Sequence, residues 1–304
     1  GSVQGPTPAV TDHRSAIATA LRDLCADATL GLPSALAAIG HRVVHGGARF
    51  VAPVIVDDDV VAAVERLTPL APAHNPISLI GIDVARQWFP GVPQIAVFDT
   101  AFHQTLPEQA WRYPLPAAAV ADLVEGGPVR RYGFHGISHA SAARRAAAHL
   151  RRPLAKLNLI TLHLGNGASA AAIRGGRSID TSMGFTPLEG LMMGSRCGDI
   201  DPALPLLMQA AGRDPAAVRA LLEHDSGLRA LCGSSDMREV GRRAAAGDAD
   251  AALARDMFCY RVKKIIGAYL AVLGRADAIV FTGGIGAHDA EVRKRSCAGL
   301  EGFG

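Results

Sequence analysis

The sequence has 304 residues, of which 49% are hydrophobic and 19% charged, with a net charge of +3. This length and balance predict a soluble α/β protein of about two domains, and the interspersed charges argue against a nucleic-acid partner. The five cysteines are scattered without a CxxC pair, which predicts reduced thiols in a cytoplasmic protein. No apolar run reaches about 18 residues, so no membrane span is expected.

The first hundred residues predict alternating helices and strands. Residues 12–27 have amphipathic helical spacing, and residues 36–44 are typical of a strand that ends in a polar, glycine-rich segment. Three aspartates at 57–59 open a second helix, where carboxylates favour the helix dipole. Asn75-Pro76 is a typical cap and first turn for a third helix. Residues 94–98 form a short buried strand.

Asp99 directly follows that strand. A carboxylate at this place is either a helix cap or a functional acid at the carboxyl edge of a sheet, and the sequence leaves both open. We place a domain boundary near residue 104, which predicts domains of residues 1–104 and 105–304.

The second half contains two strands, 157–164 and 168–173, joined by Gly165-Asn166-Gly167. An Asn-Gly pair between apolar runs predicts a hairpin. Several helices are expected between residues 202 and 273, followed by a strand at 278–281 and the glycine turn that ends at Gly286. Glycine turns after strands let backbone N–H groups approach phosphates, although each is weak evidence alone, and the chain has no Rossmann or P-loop motif.

Two arginines lie in glycine-rich segments. Arg42 ends the predicted strand at 36–44, and Arg196 lies in the run from Gly194 to Asp199. A guanidinium fork on such a loop suits a carboxylate or a phosphate. The alternative is a structural ion pair with a nearby aspartate, which for Arg196 would be Asp199 or Asp201.

His135 and His139 have the i, i+4 spacing of a metal-binding pair on a helix. The segment lacks the glutamate of HExxH, and Gly136 makes a helix start there an open question. A zinc hydrolase is therefore kept only as a minor alternative.

Several long blocks together resemble the acetate/propionate kinase family, and their order and spacing fit from about residue 36 to the end. The blocks are His41–Gly47, Ala71–Pro76, Val97–His103, Arg131–Gly136, His163–Ser169, Asp180–Asp201, Ser235–Arg238 and Phe281–Gly286. The resemblance implies an α/β, two-domain actin/hexokinase/Hsp70-like (ribonuclease H-like) fold with a central cleft. It also implies transfer of the γ-phosphoryl of ATP to a short-chain carboxylate, reversibly, to give an acyl phosphate such as acetyl phosphate and ADP.

The resemblance also implies roles for individual residues. Arg42, Asp99, His135 and Arg196 would be catalytic, with Asp99 helping to organise Mg²⁺. The acyl group would contact Arg42, Val44, Ala73, His74, Phe134 and Pro187. ATP would be held by Asn166, Gly167, Asp236, Met237, Arg238, Gly284, Ile285 and Gly286.

The sequence departs from the family pattern in several places. The usual opening strand with a serine-rich turn and the usual C-terminal Mg²⁺ glutamate are absent, so the metal ligands stay unknown and we expect the natural protein to be longer at both ends. Missing strands would leave apolar sheet edges near Val43 and Ile95. Ala287-His288 replaces Glu-Asn, Met237 replaces Phe, and Ala73 replaces Leu. The smaller Ala73 predicts room for propionate.

Three hypotheses follow from the sequence. The first is an acetate/propionate kinase that uses ATP/ADP and Mg²⁺ in the cytoplasm, with a homodimer suggested by the resemblance. The second is an inactive nucleotide-binding fragment or pseudo-kinase, and the third is the zinc hydrolase.

Overall fold

The computed structural model describes residues 11–27, 31–32, 34–124 and 127–303. The chain divides into two compact units, residues 1–101 and residues 102–304, each with its own sheet and helices. The prediction of an N-terminal acyl-kinase domain, residues 1–104, that is incomplete, and a C-terminal nucleotide-binding domain, residues 105–304, stays a prediction.

The first unit contains a small mixed sheet with helices. Its helices are α1 (His13–Ala26), α2 (Asp58–Arg66) and α3 (Asn75–Trp88), and its strands are β1 (Ile39–Val43), β2 (Val54–Ile55) and β3 (Gln94–Phe98). The strand order is β1-β3-β2, with β1 parallel and β2 antiparallel to β3. This arrangement places the carboxyl ends of β1 and β3 side by side.

The core of this unit forms around Phe98, whose ring stacks on Phe50 with centroids 4.4 Å apart. Val43 and Val64 are fully buried in the same cluster. The predicted start of α2 is confirmed, because the Asp57 side chain caps it by accepting from the Val60 amide at 2.8 Å. These contacts fix the strand ends that carry Arg42 and Asp99.

The sheet edge expected near Ile95 is not there. Ile95 lies on the central strand, where it pairs with Gly40 on one side and Ile55 on the other. Val43 does lie on the outer strand β1, but its side chain is completely buried. The prediction of an open apolar edge was therefore wrong for Ile95.

The Asn-Pro pattern predicted that Asn75 caps α3, but the structure shows that it does not. The helix begins at Asn75, and its buried side chain accepts from the His45 amide at 3.1 Å and donates to the His45 carbonyl at 3.2 Å. Asn75 thereby satisfies both backbone groups of a residue in the glycine-rich segment after β1.

The second unit is built on a four-stranded sheet. Its strands are β4 (Asn158–Leu164), β5 (Ala168–Arg174), β6 (Arg177–Thr181) and β7 (Ala278–Thr282), in the order β6-β5-β4-β7. Its helices are α4 (Glu108–Trp111), α5 (Gly136–Leu150), α6 (Ala203–Ala210), α7 (Pro215–His224), α8 (Gly227–Cys232), α9 (Met237–Ala245), α10 (Ala249–Leu273), α11 (Gly283–His288) and α12 (Ala290–Cys297). Strands β4 and β7 are parallel, and the other pairs are antiparallel.

The predicted hairpin is confirmed. Strands β4 and β5 pair antiparallel from Leu164 opposite Ala168, so the loop is Gly165-Asn166-Gly167. The strand predicted at 278–281 is also present, but the glycine segment after it forms α11 rather than an open turn. Within the ranges that the structure describes, no helix combines the length and apolar character needed to span a bilayer.

Candidate functional site

In the first unit, Arg42 and Asp99 lie at the adjacent ends of β1 and β3. Arg42 donates from Nε to Asp99 Oδ1 at 3.1 Å and from Nη2 to Asp99 Oδ2 at 2.6 Å. The Asp99 side chain is 1% exposed, whereas that of Arg42 is 59% exposed. The hydrogen bonds to Asp99 raise the pKa of Arg42. The pair therefore presents a fixed, permanently charged guanidinium at the surface of the unit.

This geometry bears on two alternatives that the sequence left open. Arg42 does form the ion pair that was the structural alternative to ligand binding, but most of its side chain remains exposed. Asp99 serves as the partner of Arg42, and its described hydrogen bonds include none to the turn of a following helix.

The predicted acyl contacts Val44, Ala73 and His74 are close in sequence to His45 and Asn75, whose side chain and backbone are hydrogen-bonded. Val44 and His74 are half-buried, and Ala73 is exposed. Ser78 Oγ donates to the Arg42 carbonyl at 3.2 Å. Their assignment to an acyl pocket stays a prediction.

In the second unit, His135 occupies an unusual backbone conformation. It precedes α5 with φ 55° and ψ 23°, a left-handed conformation that non-glycine residues seldom adopt. Its Nδ1 lies 2.8 Å from Ser169 Oγ on β5. Strain of this kind is common at functional sites, and here it directs the imidazole toward the β4–β5 loop.

His135, Gly167 and Arg196 converge at one place. A Cβ placed on Gly167 would lie 3.4 Å from His135 Nε2 and 3.6 Å from Arg196 Nη1. A glycine here leaves a recess with an imidazole and a guanidinium beside it. Such a recess suits an anionic, oxygen-rich group such as a phosphoryl.

Arg196 has no carboxylate within ion-pair distance in the part of the chain that the structure describes. Its Nη1 donates to the Pro187 carbonyl at 3.0 Å, and burial lowers its pKa from a very high ordinary value. Asp199, one proposed ion-pair partner, instead accepts from the Gly190 amide at 2.7 Å. The guanidinium is therefore positioned by a backbone carbonyl and keeps its charge available for a ligand.

Asn166 is locked against the loop that carries Arg196. Gly194 donates its amide to the Asn166 carbonyl at 3.0 Å, and a Cβ on Gly194 would lie only 2.1 Å from Asn166 Oδ1. Only glycine permits this approach. The hairpin loop and the arginine loop are thus parts of one structure.

Two further histidines support His135: His163, for which no role was predicted, and His139, which was considered only as a metal ligand. His163 stacks on His135 with ring centroids 4.2 Å apart, and its Nδ1 lies 2.8 Å from Ser138 Oγ. His139 Nε2 lies 2.8 Å from the same Ser169 Oγ that His135 contacts. The sequence signal that could have pointed to this group is that His163 and Leu164 lie just before the Asn-Gly loop and Ser169 lies just after it.

These contacts remove the basis of a zinc site at His135 and His139. Both imidazoles face one serine hydroxyl rather than a common open point. Across the described ranges, no group of three or more His, Cys, Asp or Glu side chains is arranged to hold a metal ion.

Asp236 and Arg238, predicted to hold the nucleoside, lie at the start of α9. Asp236 caps the helix by accepting from the Arg238 amide at 2.9 Å, and it pairs with the Arg238 guanidinium at 2.6 Å. The hydrogen bond from Arg238 lowers the pKa of Asp236 to about 2. Met237 between them is buried, so it does not share their surface.

The remaining predicted residues lie on α11, just before α5, and beside Arg196. Gly284 is exposed, Ile285 is half-buried and Gly286 is buried, all within α11. Phe134 is buried and accepts from His103 through its carbonyl at 3.0 Å. Pro187 is half-buried and supplies the carbonyl that Arg196 contacts.

The described residues offer little for Mg²⁺. Asp99 is the one carboxylate among the predicted site residues of the first unit, and both of its oxygens already accept from Arg42. Mg²⁺ in kinases commonly takes one or two carboxylates and otherwise substrate phosphates and water. Each Asp99 oxygen accepts one hydrogen bond from Arg42 and keeps a second lone pair, so Asp99 could supply one ligand to Mg²⁺, and we derive no step through the metal.

Comparison with known proteins agrees with this geometry. The acetokinase family profile matches residues 3–304. An acetate kinase of Sulfurovum sp. (strain NBC37-1) is 53% identical over 97% of this chain and 74% of its own length. One of Streptomyces avermitilis is 54% identical over 98% of this chain and 73% of its own.

Two solved structures are also similar to this chain. An acetate kinase of Porphyromonas gingivalis superposes with a TM-score of 0.88 at 43% identity, covering 96% of this chain and 73% of the other. A propionate kinase of Francisella tularensis gives a TM-score of 0.89 at 41% identity, covering 96% and 74%. The chain thus spans about three quarters of these relatives and has their fold. It belongs to the acetokinase family.

Proposed function

We propose that this protein is an acyl kinase that transfers a phosphoryl group between ATP and a short-chain carboxylate, acetate or propionate. The observation that carries the proposal is the convergence of His135 and Arg196 on the recess at Gly167, in a chain of the acetokinase family.

Each group has a chemical task in this proposal. ATP supplies the phosphoryl group: a carboxylate oxygen bonds to its terminal phosphorus as the bond to ADP breaks, with no net proton transfer. Arg196 neutralises charge on the phosphoryl oxygens and His135 donates a hydrogen bond to them, and such stabilisation is the main task that this reaction sets a protein. Arg42 binds the carboxylate, and Asp99 holds Arg42 in place.

The other predicted contacts complete the binding of substrates. Asn166 and Gly167 would hold the phosphates of ATP, and Asp236, Arg238 and Gly284 to Gly286 the nucleoside. Val44, Ala73, His74, Phe134 and Pro187 would contact the acyl group. The substrate carboxylate is already a nucleophile, so the reaction needs no strong general base.

Homodimer formation is proposed from the family and from one helix. No residue of α6 is buried, although the helix carries several leucines. Of these, Leu204, Leu206 and Leu207 are 44%, 65% and 63% exposed. Exposed apolar patches of this kind often mark protein interfaces. Light scattering coupled to gel filtration should give twice the chain mass, and Leu206→Glu should shift the protein toward monomer.

We further propose that the enzyme works in the cytoplasm, where ATP is supplied. The five cysteines are all free thiols, as is usual for that compartment.

The test of the proposed activity measures ADP and acyl phosphate together. The protein is incubated with ATP, Mg²⁺ and acetate, ADP is followed by a coupled assay, and acetyl phosphate is trapped with hydroxylamine. Equal amounts of both products, formed only when acetate is present, are expected. ADP without the trapped product would indicate an ATPase, and calorimetric ATP binding without turnover would favour the inactive nucleotide-binding alternative.

A further inference from the structure

A continuous chain of hydrogen bonds runs from His135 into the interior of the second unit. His135 Nδ1 lies 2.8 Å from Ser169 Oγ, and Ser169 Oγ lies 2.8 Å from His139 Nε2. His139 Nδ1 lies 2.7 Å from Thr161 Oγ1. Ser169, His139 and Thr161 are all completely buried. Every link joins a ring nitrogen to a hydroxyl, so each proton in the chain constrains the next.

His139 is neutral in the folded protein. It is completely buried among other histidines, and burial lowers its pKa well below the ordinary value. A neutral imidazole has one N–H and one bare nitrogen, so His139 donates at one end of the chain and accepts at the other.

Thr161, at the buried end of the chain, determines which group donates in each hydrogen bond. Thr161 Oγ1 has His139 as its hydrogen-bond partner, and no second side-chain contact is seen for it within the described ranges. If His139 carried its proton on Nδ1, the buried hydroxyl proton of Thr161 would have no acceptor, which is costly. Thr161 therefore donates to His139 Nδ1, and His139 carries its proton on Nε2.

The same reasoning determines which ring nitrogen of His135 carries the proton. His139 Nε2–H donates to Ser169 Oγ, which leaves the Ser169 hydroxyl proton for His135 Nδ1. A neutral His135 whose Nδ1 accepts must carry its proton on Nε2. That nitrogen faces the recess at Gly167, beside Arg196.

We propose that Ser169, His139 and Thr161 are positioning residues that hold His135 in the tautomer with its proton on Nε2, ready to donate to a transferring phosphoryl group. The part concerning phosphoryl transfer rests on the proposed function. The tautomer itself does not, because it follows from the hydrogen-bond chain alone.

Nuclear magnetic resonance tests the tautomer directly. The full chain is labelled with ¹⁵N-histidine, and long-range proton–nitrogen correlation spectra are recorded near neutral pH; His135 is assigned by comparison with His135→Gln. We expect a bare-nitrogen shift at Nδ1 and a protonated-nitrogen shift at Nε2. The opposite pattern in the wild-type protein would overturn the proposal, whether or not the protein shows kinase activity.

Two variants then test the hydrogen-bond chain. Ser169→Ala removes one oxygen with little change in volume, and Thr161→Val removes the terminal hydroxyl while keeping the shape. Both should move the His135 shifts toward an average of two tautomers and lower kcat about three- to tenfold with KM nearly unchanged. Unchanged His135 shifts in either folded variant would refute the proposal, so failure of one variant to fold leaves the other decisive.

A matched control lies in the same unit. Ser178 is also a completely buried serine, and its Oγ lies 2.8 Å from a different buried histidine, His103. Ser178→Ala should leave the His135 shifts and kcat close to wild type. If it moved the His135 shifts as much as Ser169→Ala does, the effect would be general loosening and the proposal would fail. If no variant has measurable kinase activity because the wild type has none, the proposed function fails while the shifts still decide the tautomer.

Discussion

Arg42 and Asp99 form a two-bond ion pair in which the carboxylate is buried and the guanidinium is exposed. The two residues lie 57 positions apart in the sequence and meet because β1 and β3 are adjacent parallel strands. A buried carboxylate that accepts both branches of a guanidinium fixes the orientation of the exposed charge. Arg42 thus presents a positive charge of fixed orientation at the surface of the first unit.

Two substitutions of Arg42 should distinguish the effect of its charge from the effect of its paired hydrogen bonds to Asp99. Arg42→Ala is expected to lower kcat by roughly 10²-fold or more. Arg42→Lys should recover only part of that loss, since an ammonium cannot bridge both Asp99 oxygens. Steady-state assays with acetate and ATP measure both effects.

The matched control for Arg42 is Arg14→Ala. Arg14 belongs to the same unit and pairs with Asp83 at 2.6 Å, but both side chains are about half exposed. Its activity should stay near wild type, because surface ion pairs contribute little. Near-normal kcat in a well-folded Arg42→Ala protein would refute the role of Arg42.

Gly194 gives a prediction about ATP binding. Alanine at 194 would place its methyl 2.1 Å from Asn166 Oδ1, so the Asn166 side chain must leave its present position. We expect Gly194→Ala to weaken ATP binding by calorimetry about tenfold or more, and Asn166→Ala to weaken it as well. Acetate should not restore the affinity of either variant.

Gly241→Ala controls for the loss of a glycine. Gly241 lies within α9, and a Cβ there meets no atom within 4 Å. This change should leave ATP affinity unaltered and stabilise the helix by about 0.5–1 kcal/mol. Unaltered ATP binding in Gly194→Ala would mean that Gly165-Asn166-Gly167 is only a hairpin turn.

The buried histidines predict a stability that depends on pH. Burial lowers the pKa of His103 from 6.5 to about 4, and that of His139 well below 6.5. Between these values the unfolded chain binds more protons than the folded one, so the free energy of unfolding falls as the pH falls from 6.5 toward 4. Each histidine contributes a slope of up to about 1.4 kcal/mol per pH unit.

Denaturant titrations at about pH 7, 6 and 5 measure this slope. His103→Gln should make the dependence shallower, because it removes one of the two imidazoles, His103 and His139, whose pKa is lowered by burial. His149→Gln, at an exposed position of α5, should leave the slope unchanged. An equal slope in wild type and His103→Gln would show that His103 titrates normally in the folded protein.

The acyl preference depends on Ala73 in our account. Propionate should be used about as well as acetate, and Ala73→Leu should reduce kcat/KM for propionate relative to acetate about tenfold. Each methylene that a pocket buries contributes roughly 0.8 kcal/mol, so a filled pocket rejects the longer acid. Competition of the two acids gives the ratio directly.

Ala52→Leu is the control for added bulk, since Ala52 is an exposed residue of the same unit. It should leave the ratio unchanged. A strong wild-type preference for acetate would mean that a neighbouring side chain already fills the space left by Ala73.

Local signals in the sequence predicted much of the fold. Asn-Gly between apolar runs predicted the β4–β5 hairpin, and Asp57 predicted the start of α2, because turns and caps depend on adjacent residues. Asn75 was misassigned as a cap because its side chain binds His45, 30 positions away. No local pattern reports a bond of that kind.

The candidate site shows the same division. Arg42, His135 and Arg196 were recognised from their motifs, but their partners come from tertiary packing. Ser169 contacts His135 across 34 positions, and only the folded hairpin places it under α5. The glycine segment at 283–286 was expected to be an open turn because glycine disfavours helix, yet it forms α11.

The proposed function requires that the recess at Gly167, between His135 Nε2 and Arg196 Nη1, receive the transferring phosphoryl group. Gly167→Ala tests this claim, because a methyl at 3.4 and 3.6 Å from these nitrogens fits the protein but occupies the recess. We predict a folded protein with a melting temperature near that of wild type and a kcat for acetyl phosphate formation lower by about 10²-fold or more. A folded Gly167→Ala protein with wild-type turnover would contradict the claim.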